Sequence, residues 1–408
     1  MIDITATAPA SEERQIRRNA LILATASAFG AAVGPITISL GGLTGAYLLG
    51  PDKSLATLPV SGFLVGVAAG AIPAAMVMRS VGRRSGFVLG TAVAVVAGLV
   101  AGWSVLIGSF AGFTIGLALA GFAGAFVQQY RFAAADAGSP AFRAKAISWV
   151  LAGGVAAAVI GPQTVILTRD LFAPVPFAGS FFAISGLALI GMATVSLLGG
   201  EARTVSGGRT RAGGGRRLGE IVRQPRFVVA LVCAIGSYTS MSLLMTAAPL
   251  AMVACGLGQD NAALGIQWHV LAMFAPSFVT GTLIARFGKE PIIATGLVLL
   301  TVCAVVALAG IELINFWLAL ILLGVGWNFG FVGATAMLIE TYRPEEKGKV
   351  QGLNDFLVFG SVALASLSSG HLFSTVGWER INWVAFPIIG ASALTLALGA
   401  LGERRRTA

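Results

Sequence analysis

The chain alternates long apolar stretches with short charged ones. Stretches without Asp, Glu, Lys or Arg run over 20–50, 54–78, 86–130, 146–168, 171–200, 227–259, 261–285, 291–311, 313–339 and 381–402, and an eleventh, 350–378, is interrupted only by Asp355. A helix needs roughly 20 apolar residues to cross about 30 Å of hydrocarbon. The 86–130 stretch would be about 68 Å long as one helix, so it is read as a hairpin turning near Gly108. The pattern therefore predicts an all-α membrane protein with twelve transmembrane helices.

Residues 201–226 form the one long polar segment, rich in Gly, Ser and Arg. Nothing in it could bury a core, which predicts a flexible linker. It divides the chain into an N-terminal half, 20–200, and a C-terminal half, 227–402, with polar tails at 1–19 and 403–408. The first 19 residues carry charges and lack a cleavage site after a short apolar core, so they read as a tail rather than a signal peptide.

Charge placement supplies an orientation. Twelve crossings put both termini on one side, and 24 of the 27 lysines and arginines fall on that side; Lys53, Arg169 and Arg380 fall opposite. Basic loops stay in the cytoplasm, so both termini are expected there, in a multi-pass protein of the bacterial inner membrane. The formal net charge of +10 could otherwise suggest nucleic acid, but it is split among short loops without interleaved stacking aromatics. Topology and contact with anionic lipid headgroups account for it.

Composition agrees: 56% of residues are hydrophobic and 11% charged, against about 25% charged in a soluble domain. The 54 glycines suit closely packed membrane helices. Cys233, Cys255 and Cys303 lie in or beside apolar segments without metal-ligand spacing, so no metal or cofactor is expected. There is no phosphate-binding G-x-x-x-x-G-K-[ST] loop, so ATP does not drive the protein. No paired carboxylates suggest an enzyme.

The halves echo each other. Gly82 and Gly288 register at an offset of 206, and Leu58 then falls on Leu264. At an offset of 204, Pro140 meets Pro344, Asp136 meets Glu340, Arg143 meets Lys347 and Lys145 meets Lys349. Parallel six-helix repeats with a binding site at their interface are a transporter plan.

The stretch Gly281-Thr282-Leu283-Ile284-Ala285-Arg286-Phe287-Gly288-Lys289 resembles the signature of the major facilitator superfamily, Gly-x-Leu-x-Asp-Arg-x-Gly-Arg/Lys, except that Ala285 replaces the acid. The first-half copy is weaker: Ala75 stands for the glycine and Arg79 for the aspartate, while Gly82, Arg83 and Arg84 are kept. Proton-coupled drug antiporters of that family carry an arginine in span four, where this chain has Leu117, and a longer glycine motif in span five, of which only Gly161-Pro162 remains. More narrowly, ITISLGGLTG (36–45), SLATLPVSGFLVG (54–66), QYRFAAAD (129–136) and WVLAGGVAAAVIGP (149–162) look like a bacterial branch that includes riboflavin transporters.

The resemblance implies the major facilitator fold and cytoplasmic gates. The family's acid at the end of span two faces the start of span eleven, where this chain has Asp355; a swapped pair of Arg79 with Asp355 follows, unless Asp355 only caps its helix. Glu340 and Arg343 resemble the acidic-basic partner of the motif arginine, Arg286. Both clusters would close in the outward-facing state. Solvated loop charge is the alternative.

Spans one, four, seven and ten line the cavity in this family. Candidate substrate contacts there are Thr25 and Phe29, Gln128, Tyr238 and Met241, and Trp327, Asn328 and Phe331. In span eight, His269 lies roughly 12 Å from the far end with Gln267 and Trp268 beside it. An ionisable residue at such depth is a functional candidate, here also for carrying a proton, although a histidine can simply bond a neighbouring helix. Aromatics with a few amides suit a planar, uncharged heteroaromatic solute, and each aromatic can equally be packing. The expectation is a monomeric secondary transporter importing riboflavin or a similar solute; proton-coupled efflux of a drug or metabolite is the alternative.

Overall fold

The computed structural model describes residues 10–135, 140–199 and 215–407. The first half holds α1 (Ala10–Gly30), α2 (Val33–Leu49), α3 (Leu58–Val81), α4 (Arg83–Leu106), α5 (Phe110–Gln128), α6 (Tyr130–Ala135), α7 (Pro140–Thr168) and α8 (Ala178–Ser196). After it come α9 (Leu218–Val222), α10 (Pro225–Ala254), α11 (Gln259–Phe274), α12 (Ser277–Phe287), α13 (Lys289–Ala309), α14 (Leu313–Ile339) and α15 (Lys347–Thr407).

These helices make twelve crossings once their breaks are read. The hairpin expected near Gly108 is present: Gly108 adopts φ +71° between α4 and α5, and the Ser109 hydroxyl caps α5 by accepting from the Gly112 N–H at 3.2 Å. Helices α1 and α2 form one crossing, and α11 and α12, bent by 40° at Ala275-Pro276, form another. The 54-residue, largely apolar stretch of α15, Lys349–Gly402, is too long for one crossing and divides at Gly377, whose φ of +78° is open to glycine. Their outward faces are apolar, as at Ile72 and Leu167, both more than 70% exposed.

Three polar segments beside the crossings carry regular structure, and in one of them, the linker, this departs from the flexibility expected. The N-terminal tail is already helical from Ala10, where Glu13 and Arg17 pair one turn apart at 2.7 Å. The described part of the linker, 215–226, is ordered: the Arg216 backbone N–H, Nε and Nη2 donate to the buried carboxylate of Glu346 at 2.6–3.0 Å, and α9 follows. At the other end α15 continues to Thr407. The remaining linker, residues 1–9 and the repeat partner Asp136 lie outside the described residues.

Within the first half, α3 packs on α5 with almost no side chain between them. A methyl added at Gly66 would sit 2.1 Å from the Ala118 carbonyl oxygen, and one at Gly121 would sit 1.9 Å from that of Phe63. In lipid such backbone approach replaces the hydrophobic drive that holds soluble helices together. In the second half α10 is the central helix, packed against α14 and α15.

Candidate functional site

Both termini and α9 mark one face of the bundle, the tail side; the opposite face is the far side. On the far side the halves are sealed together. Ile38, Val60 and Ala158 pack into the core of the second half, and Leu250 and Ala263 into that of the first. Above this apolar contact, Thr57 Oγ1 donates to the Leu367 carbonyl at 3.3 Å, and the Ser61 and Ser366 hydroxyls bond at 3.1 Å. Gln163 Nε2 donates to Gln267 Oε1 at 3.0 Å, joining α7 to α11. At the rim, the Arg169 guanidinium donates to both carboxylate oxygens of Asp260.

On the tail side, the named polar contacts of these helices stay largely within one half. Arg18 and Asn19 bond the carbonyls of Leu197 and Gly199 beyond α8. In the second half Glu340 takes Lys289 and Arg226, the latter at 3.0 Å, and Arg226 also reaches Glu290 at 3.2 Å. Lys289 therefore holds the Glu340 carboxyl below its ordinary range, with burial opposing and Arg226 assisting.

The expected gate pairs are not formed in this arrangement. Arg79 is exposed and its Nε donates to the Ala75 carbonyl, one turn back along α3. Asp355 is exposed and bonded by Asn354 Nδ2 at 3.1 Å; the charge of Arg131 on α6, rather than that of Arg79, reaches it, without an ion pair between them. Arg286 is exposed with its guanidinium 5.2 Å above the Phe287 ring, so it is not the partner of Glu340. Arg343 bonds Glu346 through its backbone N–H. The physical reason is the far-side seal: the pairs were placed in the opposite state, in which the tail-side ends meet. Gly82 and Gly288 do supply matching sharp turns, with φ of +84° and +90°.

Between the two sides, the rings of Tyr238, Trp327, Phe331 and Phe359 converge from α10, α14 and α15. Trp327 stacks on Phe331 with centroids 5.2 Å apart and planes 13° from parallel. Tyr238 meets Trp327 at 5.2 Å, Phe331 at 5.0 Å and Phe359 at 5.8 Å, each edge-on. Gly330 allows α10 this close, since a methyl there would lie 2.3 Å from Ser237 Oγ. The indole N–H of Trp327 is buried, at 7% residue exposure, and makes no hydrogen bond among the described residues. Tyr238, Phe331 and Phe359 are half-buried, so the cluster keeps an accessible face. An aromatic group with an unspent donor can hold a flat ring bearing a carbonyl.

The other candidates scatter. Asn328 turns away from Phe331 and is fully buried: its Nδ2 donates to the Met273 carbonyl and Ser277 Oγ at 2.8 and 2.7 Å, and its Oδ1 accepts from Thr280 Oγ1. It pins the α11–α12 bend, and its hydrogen-bonding capacity is largely used. His269 is fully buried between α11 and α14, with Nδ1 at 2.8 Å from the Leu320 carbonyl. Gln267 belongs to the far-side seal, while Trp268 beside it is 40% exposed. Met241 is buried one turn from Tyr238. Phe29 is half-buried, Gln128 is exposed at the tail end of α5, and Thr25 is exposed on a groove between α1 and α8. Phe359 was not singled out from sequence, although it shares a helix face with Asp355 four residues earlier.

With this geometry established, known proteins can be compared. The chain is 50% identical to the riboflavin transporter RfnT of Brucella anthropi, over 94% of this chain and 96% of that one. It is 30% identical to the uncharacterized MFS-type transporter YddS of Bacillus subtilis, over 96% of this chain and 91% of the relative. Among solved structures, the nucleoside transporter NupG covers 93% of this chain and 99% of its own at a TM-score of 0.73 and 10% identity. The xylose transporter XylE from E. coli, in a partially occluded inward open conformation, covers 94% and 97% at 0.68 and 13%; both likenesses concern the fold. The profile of the Major Facilitator Superfamily matches residues 230–408, and with two relatives aligned along nearly their whole length the chain belongs to that superfamily.

Proposed function

We propose that this chain is a secondary transporter for riboflavin, or a closely similar neutral heteroaromatic, in the bacterial inner membrane, working as a monomer by alternating access. The supporting observation is the four-ring cluster of Tyr238, Trp327, Phe331 and Phe359 with its unspent indole N–H. The isoalloxazine of riboflavin is flat, uncharged and carries ring carbonyls, so it can stack on these rings and accept from Trp327 Nε1. Half of the aligned residues are shared with a riboflavin transporter.

Both termini lie in the cytoplasm in this reading, because basic residues gather on the tail side. The far-side seal then makes this the inward-facing state. Arg169 with Asp260 then holds the far side shut in this state, and Asp355 and Arg131, which form no ion pair here, are the charges that would meet when the tail side closes. Arg79, Arg286, Glu340 and Arg343 flank the tail-side gate, and Gly82 and Gly288 let its loops turn. Import is the expected direction. The coupling proton, where one is used, has no carrier in the aromatic cluster.

Uptake of labelled riboflavin into a riboflavin-auxotrophic bacterium lacking its own importer tests the proposal. Growth rescue and saturable uptake are expected. A well-expressed protein that rescues neither would overturn it.

A further inference from the structure

Thr25 shares its groove with a set of residues that lie apart from the ring cluster. The groove, about 570 Å³, runs along one stripe of α1 that reads Arg14, Arg17, Arg18, Leu21, Ile22 and Thr25 from the tail end inward, and is closed on the other side by Thr194 of α8 and Leu197 just beyond it. These spacings of three and four place all six on a single helix face, about 16 Å long. Its polarity changes once along that length. Three guanidiniums occupy the end at the membrane boundary, and Leu21 and Ile22 continue into the apolar zone with Leu197 beside them.

We infer that this groove is a binding site for one anionic phospholipid, whose phosphodiester lies among Arg14, Arg17 and Arg18 and whose acyl chain follows Leu21, Ile22 and Leu197. Charge complementarity carries the choice of occupant. The three arginines face the headgroup layer; against Glu12 and Glu13 on the same helix, the latter paired with Arg17 at 2.7 Å, they leave a net charge of +1 for a singly charged phosphodiester. One guanidinium is preset, because Arg18 Nη2 donates to the Leu197 carbonyl at 3.3 Å across the groove. A zwitterionic lipid brings its own cation and gains less from this end. A free phosphate would leave the apolar part of the groove uncovered.

The test compares the purified full chain in neutral detergent with added phosphatidylglycerol, phosphatidylcholine or inorganic phosphate. The readouts are thermal unfolding and lipid retention in native mass spectrometry. Phosphatidylglycerol is expected to raise the unfolding temperature and to remain bound, with phosphatidylcholine clearly weaker and phosphate inert. In Arg14→Gln/Arg17→Gln/Arg18→Gln the preference should disappear, with about a fivefold loss of lipid affinity for each guanidinium removed. These side chains are on the surface, so unchanged unfolding without lipid checks that the variant folds. Leu21→Glu, which places an anion where the acyl chain starts, should weaken retention in the otherwise intact protein. Equal effects of the two lipids, a preference that survives the triple change, or a phosphate effect as large as that of phosphatidylglycerol would each overturn the inference.

Discussion

Arg169, the residue after α7, and Asp260, in the first turn of α11, tie the two halves of the protein together at the far side through two hydrogen bonds to one carboxylate. The pair sits at the rim, where Asp260 is 52% exposed, so its contribution is that of a surface ion pair, about 0.5–1 kcal/mol.

Asp260→Asn is therefore expected to shift the balance between the two states by about two- to fivefold, away from the arrangement described here. Labelling rates of single cysteines introduced on the tail side and on the far side report that balance. Rates unchanged on both sides would remove the pair from the gate.

At the opposite end Arg131 is the base whose charge reaches Asp355, although the two form no ion pair in this arrangement. Asp355→Arg and Arg131→Asp should each slow uptake several-fold, and the double reversal should recover much of the loss. The corresponding reversal with Arg79 is expected to recover less, since Arg79 lies against its own helix. Double-mutant cycles decide between them: a larger coupling for Arg79 would restore the pairing expected from sequence.

Trp327 separates stacking from hydrogen bonding. Trp327→Phe keeps a ring and loses only the indole donor, so affinity for riboflavin should fall about fivefold. Trp327→Ala also removes the stacked face presented with Phe331 and should cost more than about tenfold. Quenching of riboflavin fluorescence by the purified protein measures both. Unchanged affinity in the alanine variant would move the site elsewhere.

Glu346 provides a pH test. The Arg216 side chain, donating to both of its oxygens, holds this buried carboxyl well below the ordinary range, against burial, with the backbone N–H groups of Arg343 and Arg216 assisting. A depressed carboxyl contributes stability above the unfolded value, about 4.3, and loses it as pH falls toward the folded value. Glu346→Gln should therefore unfold at a lower temperature than the parent at neutral pH, and the gap should narrow below about pH 4. A gap that stays constant with pH would show that the carboxylate's charge is not the cause.

The crossings were legible because apolar length is set by the bilayer and depends little on which residues neighbour it. The hairpin at Gly108 followed from length alone. Contacts between helices were harder to read. Asn328 and Phe331 share a helix face by spacing, yet one pins the bend of α11 and α12 while the other joins the ring cluster, because two different helices approach that face. The Arg216–Glu346 pair was hidden because the linker's composition resembles disorder and one buried carboxylate outweighs it. Arg169 did leave a signal: it is one of three bases on the side where bases are scarce.

The glycine contacts between α3 and α5 determine how motion travels. With Gly66 and Gly121 against opposing carbonyls, these two helices leave no slack for sliding or bowing. Together they act as a stiff lever spanning the membrane, with one end near the seal at Ser61 and the other near Arg79. A small opening at the seal must then appear at the other end as a swing of comparable size, instead of being absorbed along the way. Adding a single methyl group at Gly121 would pry this beam apart, and transport would fail through lost leverage even though every residue that touches the cargo remained in place.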